Sequence, residues 1–428
     1  MDVFTAKDGV LHIEDVTLTS IADAIGTPAY IYSSAHLRQQ FGRLTEALSG
    51  LDAQIYYAVK ANSNLSVLRL FHELGAGFDI VSGGELQRVV SAGGEPGQVL
   101  FSGVGKSVAE IDLALKLGIG CFNVESTSEL ERIAERAQLL QRPAPISIRV
   151  NPNVDAQTHP YVSTGLKENK FGVPPQQAVE LYRQANDREH LSIVGIDCHI
   201  GSQIVEIEPL HQALTCLLEL ADQLADEGIR LQHIDVGGGM GVTYRDESEF
   251  DVDAYGNMLH EMLSGRSMKL ILEPGRYLVA NGGVLLTRVE YLKPQQTPEH
   301  KNFAVVDAAM NDLLRPALYQ AWHDVRVVAP DSGVSTTCWD IVGPICETGD
   351  FIAHDRELAL AEQQLLAIMS VGAYGMVQSS NYNTRPRPPE VLVEGSRFRV
   401  VRRRETTRDQ LAFELDSQVG DTLPSPHT

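Results

Sequence analysis

The chain has 428 residues, 43% of them hydrophobic and 21% charged, which suits a globular protein of about two or three domains with a large buried core. Its formal net charge of -21 opposes binding to the phosphates of nucleic acid or of an anionic membrane. Five cysteines, odd in number, widely spaced and without a C-x-x-C pair, argue against a disulfide framework or a zinc site and fit a reducing compartment; no metal is expected. At the N-terminus, "MDVFTAKDGVLHIEDV" lacks the basic-then-apolar order of a secretory leader, and no apolar run reaches the ~18 residues that span a bilayer. The expected location is the cytosol.

In chain order, "GVLHIEDVTL" and "PAYIYSS" read as strands that join a β domain formed further on. From "QIYYAVKAN" to "KLILEPGR", eight short apolar runs alternate with amphipathic segments. The other six are "GFDIVSGG", "VLFSGVG", "CFNVES", "PISIRVNP", "IVGIDCHIGS" and "LQHIDVGGG". Between them, "NLSVLRLFHELG" opens on a capping asparagine and stops near a glycine, and "STSELERIAERAQLL" reads the same way. The alternation predicts a (β/α)8 barrel, and continuous apolarity suits strands covered on both faces. After Gly283, "VLLTRVEYLKP", "NFAVVDAAM", "HDVRVVAP", "TTCWDIVG", "LLAIMS", "EVLVEG" and "FRVVRRRET" predict an all-β unit, a sandwich or a small barrel. The expected domains are a barrel over 34–283, a β domain built from 1–33 and 284–415, and a mobile tail over 416–428.

Chemistry is expected where the barrel strands end at their C-terminal side. "YYAVKAN" ends on Lys60. An ordinary lysine there buries its stem and keeps its ammonium in water. The sharper expectation is a partly desolvated amine with a lowered pKa that forms a Schiff base. His199 and Ser202 end the sixth strand, Gly237 to Gly239 the seventh, and Glu273, Pro274, Gly275 and Arg276 the eighth. A lone strand-end histidine is ordinarily structural and a lone "GGG" is ordinarily a tight turn, but here they converge on one rim. A glycine turn and a hydroxyl suit a phosphate, an amine suits an aldehyde, and a carboxylate suits a pyridine nitrogen. Together they describe pyridoxal 5'-phosphate.

"YYAVKAN", "FDIVSGGEL", "STGLKENKFG", "HIGSQI", "DVGGGMG", "EPGR", "MNDLLRPALY", "GPICETGD" and "GAYGMVQSSNYNTRPRPPEVLV" closely resemble the meso-diaminopimelate decarboxylases. These are fold-type III pyridoxal-phosphate enzymes with an alanine-racemase-like barrel, and they catalyse the last step of lysine biosynthesis. The resemblance implies that Lys60 is the Schiff-base lysine, that His199 stacks on the cofactor ring and that Glu273 pairs with its nitrogen. It implies that Ser202, Gly238, Gly239, Pro274, Gly275, Arg276 and Tyr374 hold the cofactor, chiefly its phosphate. It implies that Arg276, Arg315 and Tyr319 bind the distal carboxylate of the substrate, that Glu347 binds its distal amine, and that Tyr374 also touches it. Cys346 resembles a proton donor supplied by the partner subunit of a homodimer with shared active sites. "STGLKENKFG" resembles an active-site lid.

The chemistry agrees. Loss of CO2 leaves a carbanion, which a protonated ring accepts, and a carboxylate at Glu273 favours that protonation. A thiol can then return a proton to Cα, although a lone Cys346 without its flanking motif would read as a small buried hydrophobe. Two alternatives stay open at this stage. One is a decarboxylase of another diamino or basic amino acid such as ornithine, which has no use for two arginines at its distal end. The other is a non-catalytic homologue, against which the presence of Lys60, Glu273 and Cys346 counts.

Overall fold

A computed structural model describes residues 3–156, 164–166, 168–297, 300–331 and 333–415. The eight apolar runs form a closed barrel in sequential order. Its strands are Ala53–Ala58, Gly77–Ile80, Val99–Phe101, Cys121–Val124, Ala144–Arg149, Leu191–Asp197, His233–Asp235 and Lys269–Leu272. Every pairing is parallel, and the eighth strand closes on the first with Leu270 opposite Ala53. Parallel order follows from the helices that return the chain between strands. Several of those helices begin where short polar side chains satisfy free backbone N–H groups, whereas Pro175–Asn186 and Glu208–Asp226 have a proline in the first turn and no side-chain cap. Asn64 Oδ1 accepts from the Ser66 N–H at 2.9 Å, Ser126 caps Thr127–Leu140, and Ser107 with Glu110 forms a capping box, as the capping rules require.

The second unit is a branched nine-stranded sheet rather than an evident sandwich or small barrel. Its long strand Gly283–Lys293 pairs with Ala29–Ser33 and Leu365–Ile368 along its first half and with Phe303–Val306 along its second. Ala29–Ser33 lies between Gly283–Lys293 and Glu390–Glu394, so the N-terminal segment completes this sheet as expected. "GVLHIEDVTL" does not join it by pairing. It forms a separate three-stranded sheet with Phe4–Lys7. That small sheet is tied on by the Leu11 N–H to the Val328 carbonyl at 2.7 Å and by an apolar cluster of Ile13, Leu18 and Ile21 with Val328, Val391 and Val393.

Two strands were not foreseen, Phe4–Lys7 and Phe351–Leu358. Phe351–Leu358 pairs antiparallel with Thr337–Val342, although "HDRE" breaks its apolar alternation. Asp355 takes a positive φ of 55°, and the register shifts beside it, so the strand exists through its partner and not its own pattern. Short helices at Arg276–Val279 and Arg315–Tyr319, and a C-terminal helix at Thr407–Leu415, were also unforeseen. Of the expected lid, Ser163 and Lys167 lie outside the described residues, as does the whole tail 416–428. No described helix is long and apolar enough to cross a membrane.

Candidate active site

The C-terminal rim of the barrel and the β domain enclose a cavity of about 620 Å³. Lys60, His199, Ser202, Glu273, Arg276, Arg315, Tyr319 and Tyr374 all line it. Residues from three barrel strand ends thus meet residues 255 or more positions away from Lys60 in the chain. The contact between the two units is direct: the Tyr374 N–H donates to the Ala61 carbonyl at 2.8 Å.

Lys60 sits in a single 3-10 turn, Val59–Ala61, that ends the first strand. Its side chain is 38% exposed, and its ammonium lies 3.9 Å from Asp79 Oδ2. Among the described residues it makes no hydrogen bond, so the amine is held by charge and left free to react. The expected lowering of its pKa is not found. Burial pulls the ammonium down, but Asp79, Tyr374 and Glu273 outweigh that and raise it above the ordinary lysine value. The error came from weighing desolvation without the carboxylates on the neighbouring strands. Lys106 makes the contrast. Its side chain is more deeply buried, yet its ammonium donates to Gly103 O, Asn123 O and Glu129 Oε1 at 2.8, 2.7 and 2.6 Å. All three donors are used, which marks a structural lysine.

His199 accepts from the Gly238 N–H on Nδ1 at 3.1 Å. Burial, then Lys60 and Arg149, push its pKa well below the usual value, so a neutral ring lines the cavity. Glu273 is 6% exposed and its Oε1 has no hydrogen-bond partner. Burial, then Asp235, Asp79 and Asp197, push its pKa well above the usual carboxylate range. Ligand atoms of Asp197, Asp235 and Glu273 lie within 4.8 Å of one another. Crowding of buried like charges drives such a group to hold a proton.

The glycines let these strand ends approach. A Cβ on Gly238 would stand 2.2 Å from the Glu273 carbonyl oxygen, and Gly239 has φ +101°, so neither position admits a side chain without strain. Gly275 packs so closely that its Cβ would meet those of Ala58 and Ala61 at 3.1 Å, and the Pro274 carbonyl accepts from the Ala58 N–H at 3.1 Å. Gly238, Gly239, Pro274 and Gly275 therefore shape the floor without lining the cavity by side chain.

Two arginines are buried on the far side. Arg276 is 6% and Arg315 7% exposed, and neither has a carboxylate partner among the described residues. Arg276 donates to Ser202 Oγ at 2.9 Å and to the Tyr244 hydroxyl at 2.6 Å. Its guanidinium lies 4.9 Å from the Tyr374 ring centre. Burial raises the Tyr244 pKa, but Arg276 and Arg315 pull it further down, to a net position below the tyrosine value. A global charge of -21 thus conceals a locally cationic pocket.

Cys346 and Glu347 are not brought to this cavity within the chain. Both are exposed, and the Glu347 carboxylate accepts from the Tyr382 hydroxyl. Four residues at or beside the cavity escaped the sequence reading. Asp79 and Arg149 are charged residues in apolar barrel strands, the same signal that drew attention to Lys60. Tyr244 lies in the loop after the seventh strand and His323 next to the lining Trp322, and no local pattern marks either one.

A (β/α)8 barrel whose rim joins a free amine, a neutral imidazole and a buried carboxyl with an unpartnered oxygen fits pyridoxal phosphate, which offers an aldehyde, a flat ring and a basic ring nitrogen. That defines a pyridoxal-phosphate-dependent enzyme. Comparison agrees: residues 34–280 match the model of the pyridoxal-dependent decarboxylase, pyridoxal binding domain. The chain is 56% identical over 414 residues to the diaminopimelate decarboxylase of Pseudomonas aeruginosa, covering 97% of this chain and 99% of that one. It is 53% identical over 405 residues to that of Neisseria meningitidis, covering 95% and 99%. The crystal structure of diaminopimelate decarboxylase from Helicobacter pylori complexed with L-lysine superposes with a TM-score of 0.89 at 44% identity, covering 93% of this chain and 99% of that one. The chain belongs to the diaminopimelate decarboxylase family, carboxy-lyases whose cofactor is pyridoxal phosphate.

Proposed function

We propose that this protein converts meso-2,6-diaminopimelate to L-lysine and CO2 in a homodimer whose two active sites are each completed by the partner subunit. The carrying observation is the pair Arg276 and Arg315, buried without carboxylate partners in the cavity that holds Lys60 and Glu273. Buried charges are normally paired, so this pair is built to receive an anion. A substrate with a second carboxylate supplies it, while ornithine does not.

When bound, pyridoxal phosphate supplies an aldehyde for an amine and a ring that accepts the electron pair left by departing CO2. Lys60 provides the amine that holds the cofactor, and Asp79 provides its counter-charge. Glu273, driven to carry a proton, is the residue that would protonate and pair with the cofactor's ring nitrogen. His199 packs its neutral ring against the cofactor, so no second cation competes with the ring nitrogen. Ser202, the glycine turn of Gly238 and Gly239, the backbone of Pro274, Gly275 and Arg276, and Tyr374 hold the phosphate. Arg276, Arg315 and Tyr319 fix the distal carboxylate, and this binding orients the other end of the substrate over the ring. Cys346, supplied by the partner subunit, delivers a proton to Cα, and Glu347 beside it binds the distal amine. Their exposure within one chain supports a donated role, since neither can act on Lys60's cavity from where it stands. Thr164 and Phe171, which belong to the expected lid, line the cavity and would help to exclude water from it.

CO2 release from meso-, LL- and DD-diaminopimelate, lysine, ornithine and arginine tests the reading. Turnover of meso-diaminopimelate well above the rest is expected. Faster release from ornithine or arginine would replace it with the alternative of a basic-amino-acid decarboxylase.

A further inference from the structure

Arg276 and Arg315 share a difficulty that the proposed function does not resolve. Two neighbouring guanidiniums repel each other and are costly to bury unpaired. Before the substrate arrives, something must aim them without neutralising them. The structure places an uncharged acceptor on each, beside the Ser202 hydroxyl that Arg276 also meets. The Tyr244 hydroxyl stands 2.6 Å from Arg276 Nη1. His323 Nε2 stands 3.1 Å from Arg315 Nη1, and His323 Nδ1 stands 2.8 Å from the Met369 carbonyl. A carbonyl only accepts, so Nδ1 carries the hydrogen and Nε2 presents its lone pair to Arg315. His323 is fully buried, and burial followed by Arg315 pushes its pKa down to about 3, which keeps the ring uncharged. The two acceptors also touch. The Tyr244 and His323 rings meet edge to face at 5.6 Å, and the Arg315 guanidinium lies 4.7 Å from the Tyr244 ring centre.

We propose that Tyr244 and His323 are positioning residues that set specificity for a distal carboxylate, by orienting Arg276 and Arg315 through acceptors that are not carboxylates. An aspartate or glutamate at either place would hold an arginine more tightly but would take the charge meant for the substrate. A phenol and an imidazole fix the geometry and leave the positive charge available. The proposal rests on the reading of Arg276 and Arg315 as the site of the distal carboxylate, and its test separates the two.

The probes are 6-aminohexanoate, an amine with a terminal carboxylate, and 1,5-diaminopentane, an amine without one. Their Kd values are measured by calorimetry on cofactor-loaded enzyme, where no turnover occurs, and the preference is the ratio between them. Arg315→Ala is expected to abolish the preference. Tyr244→Phe, which removes one oxygen, and His323→Leu are each expected to reduce it about tenfold, as loss of a bond to a charged group does. His323→Gln, which returns an acceptor near the Nε2 position, is expected to restore it to within about twofold of the parent. If Arg315→Ala abolishes the preference while Tyr244→Phe leaves it intact, the proposal is overturned and the distal-carboxylate reading survives. If Arg315→Ala leaves it intact, both fall. Should His323→Leu fail to fold, Tyr244→Phe decides alone.

Discussion

At the scale of single residues, the site separates two lysines that composition cannot. Lys106 is nearly inaccessible and fully hydrogen-bonded, whereas Lys60 is half-buried, faces Asp79 at 3.9 Å and makes no hydrogen bond from its amine among the described residues. Burial alone therefore does not make a reactive lysine; a free valence in a cavity does. Lys60→Ala should lose the visible absorbance of lysine-bound pyridoxal and nearly all CO2 release. Lys106→Met should keep that absorbance but lower stability by about 3–5 kcal/mol, because Glu129 is left buried and unpaired. Absorption spectra and thermal melts of both variants check this, and an undiminished band in Lys60→Ala would refute the assignment. Lys60, His199, Ser202, Glu273 and Arg276 were legible in the sequence, because each ends an apolar run where a barrel exposes its strand ends. Tyr244 and His323 were not, because no local pattern marks them: Tyr244 lies in a loop and meets Arg276 across the fold, and no periodicity links His323 to Arg315.

Elements behave differently according to what a side chain would meet. Gly238 packs against the eighth strand, with the Glu273 carbonyl 2.2 Å from where a Cβ would stand, while a Cβ on Gly42 would have nothing within 4 Å. Gly42 lies exposed inside the helix Ser34–Ala47. Gly238→Ala should destabilise the protein by about 1–3 kcal/mol through overpacking and weaken cofactor binding by displacing Glu273. Gly42→Ala should stabilise it by about 0.5–1 kcal/mol through backbone entropy and helix propensity. Thermal midpoints that move in opposite directions are the expected result, and equal shifts would contradict the packing argument. The same logic explains which elements could be foreseen. The eight barrel strands are covered on both faces and so read as apolar runs, interrupted by buried charged residues such as Asp79 and Arg149. Phe351–Leu358 alternates poorly and owes its form to Thr337–Val342.

At the scale of the whole molecule, Cys346 and Glu347 stand exposed, apart from the cavity that holds Lys60. In the proposed shared-site dimer, a Lys60→Ala chain and a Cys346→Ala chain are each nearly inactive alone but complement each other. Random pairing makes about half of the dimers mixed, each with one complete site, so about a quarter of the parent activity should return. Tagged co-purification must first establish that mixed dimers form. Mixed dimers that stay inactive would show that Cys346 serves its own chain or does not serve catalysis.

The amino-acid sequence by itself determined the alternation of strands and helices, the strand-end positions of Lys60, His199 and Glu273, and the pyridoxal chemistry they suggest. These are local properties, set by periodicity, capping and residue type within a few positions. Only the tertiary structure decided the direction in which the Lys60 pKa moves, which depends on burial and on Asp79, Tyr374 and Glu273 from other parts of the chain. It also decided the acceptors that aim Arg276 and Arg315 and the separate pairing of the first three strands. Electrostatic shifts and hydrogen-bond networks depend on distances through space, and the chain's own order does not contain them until it has folded.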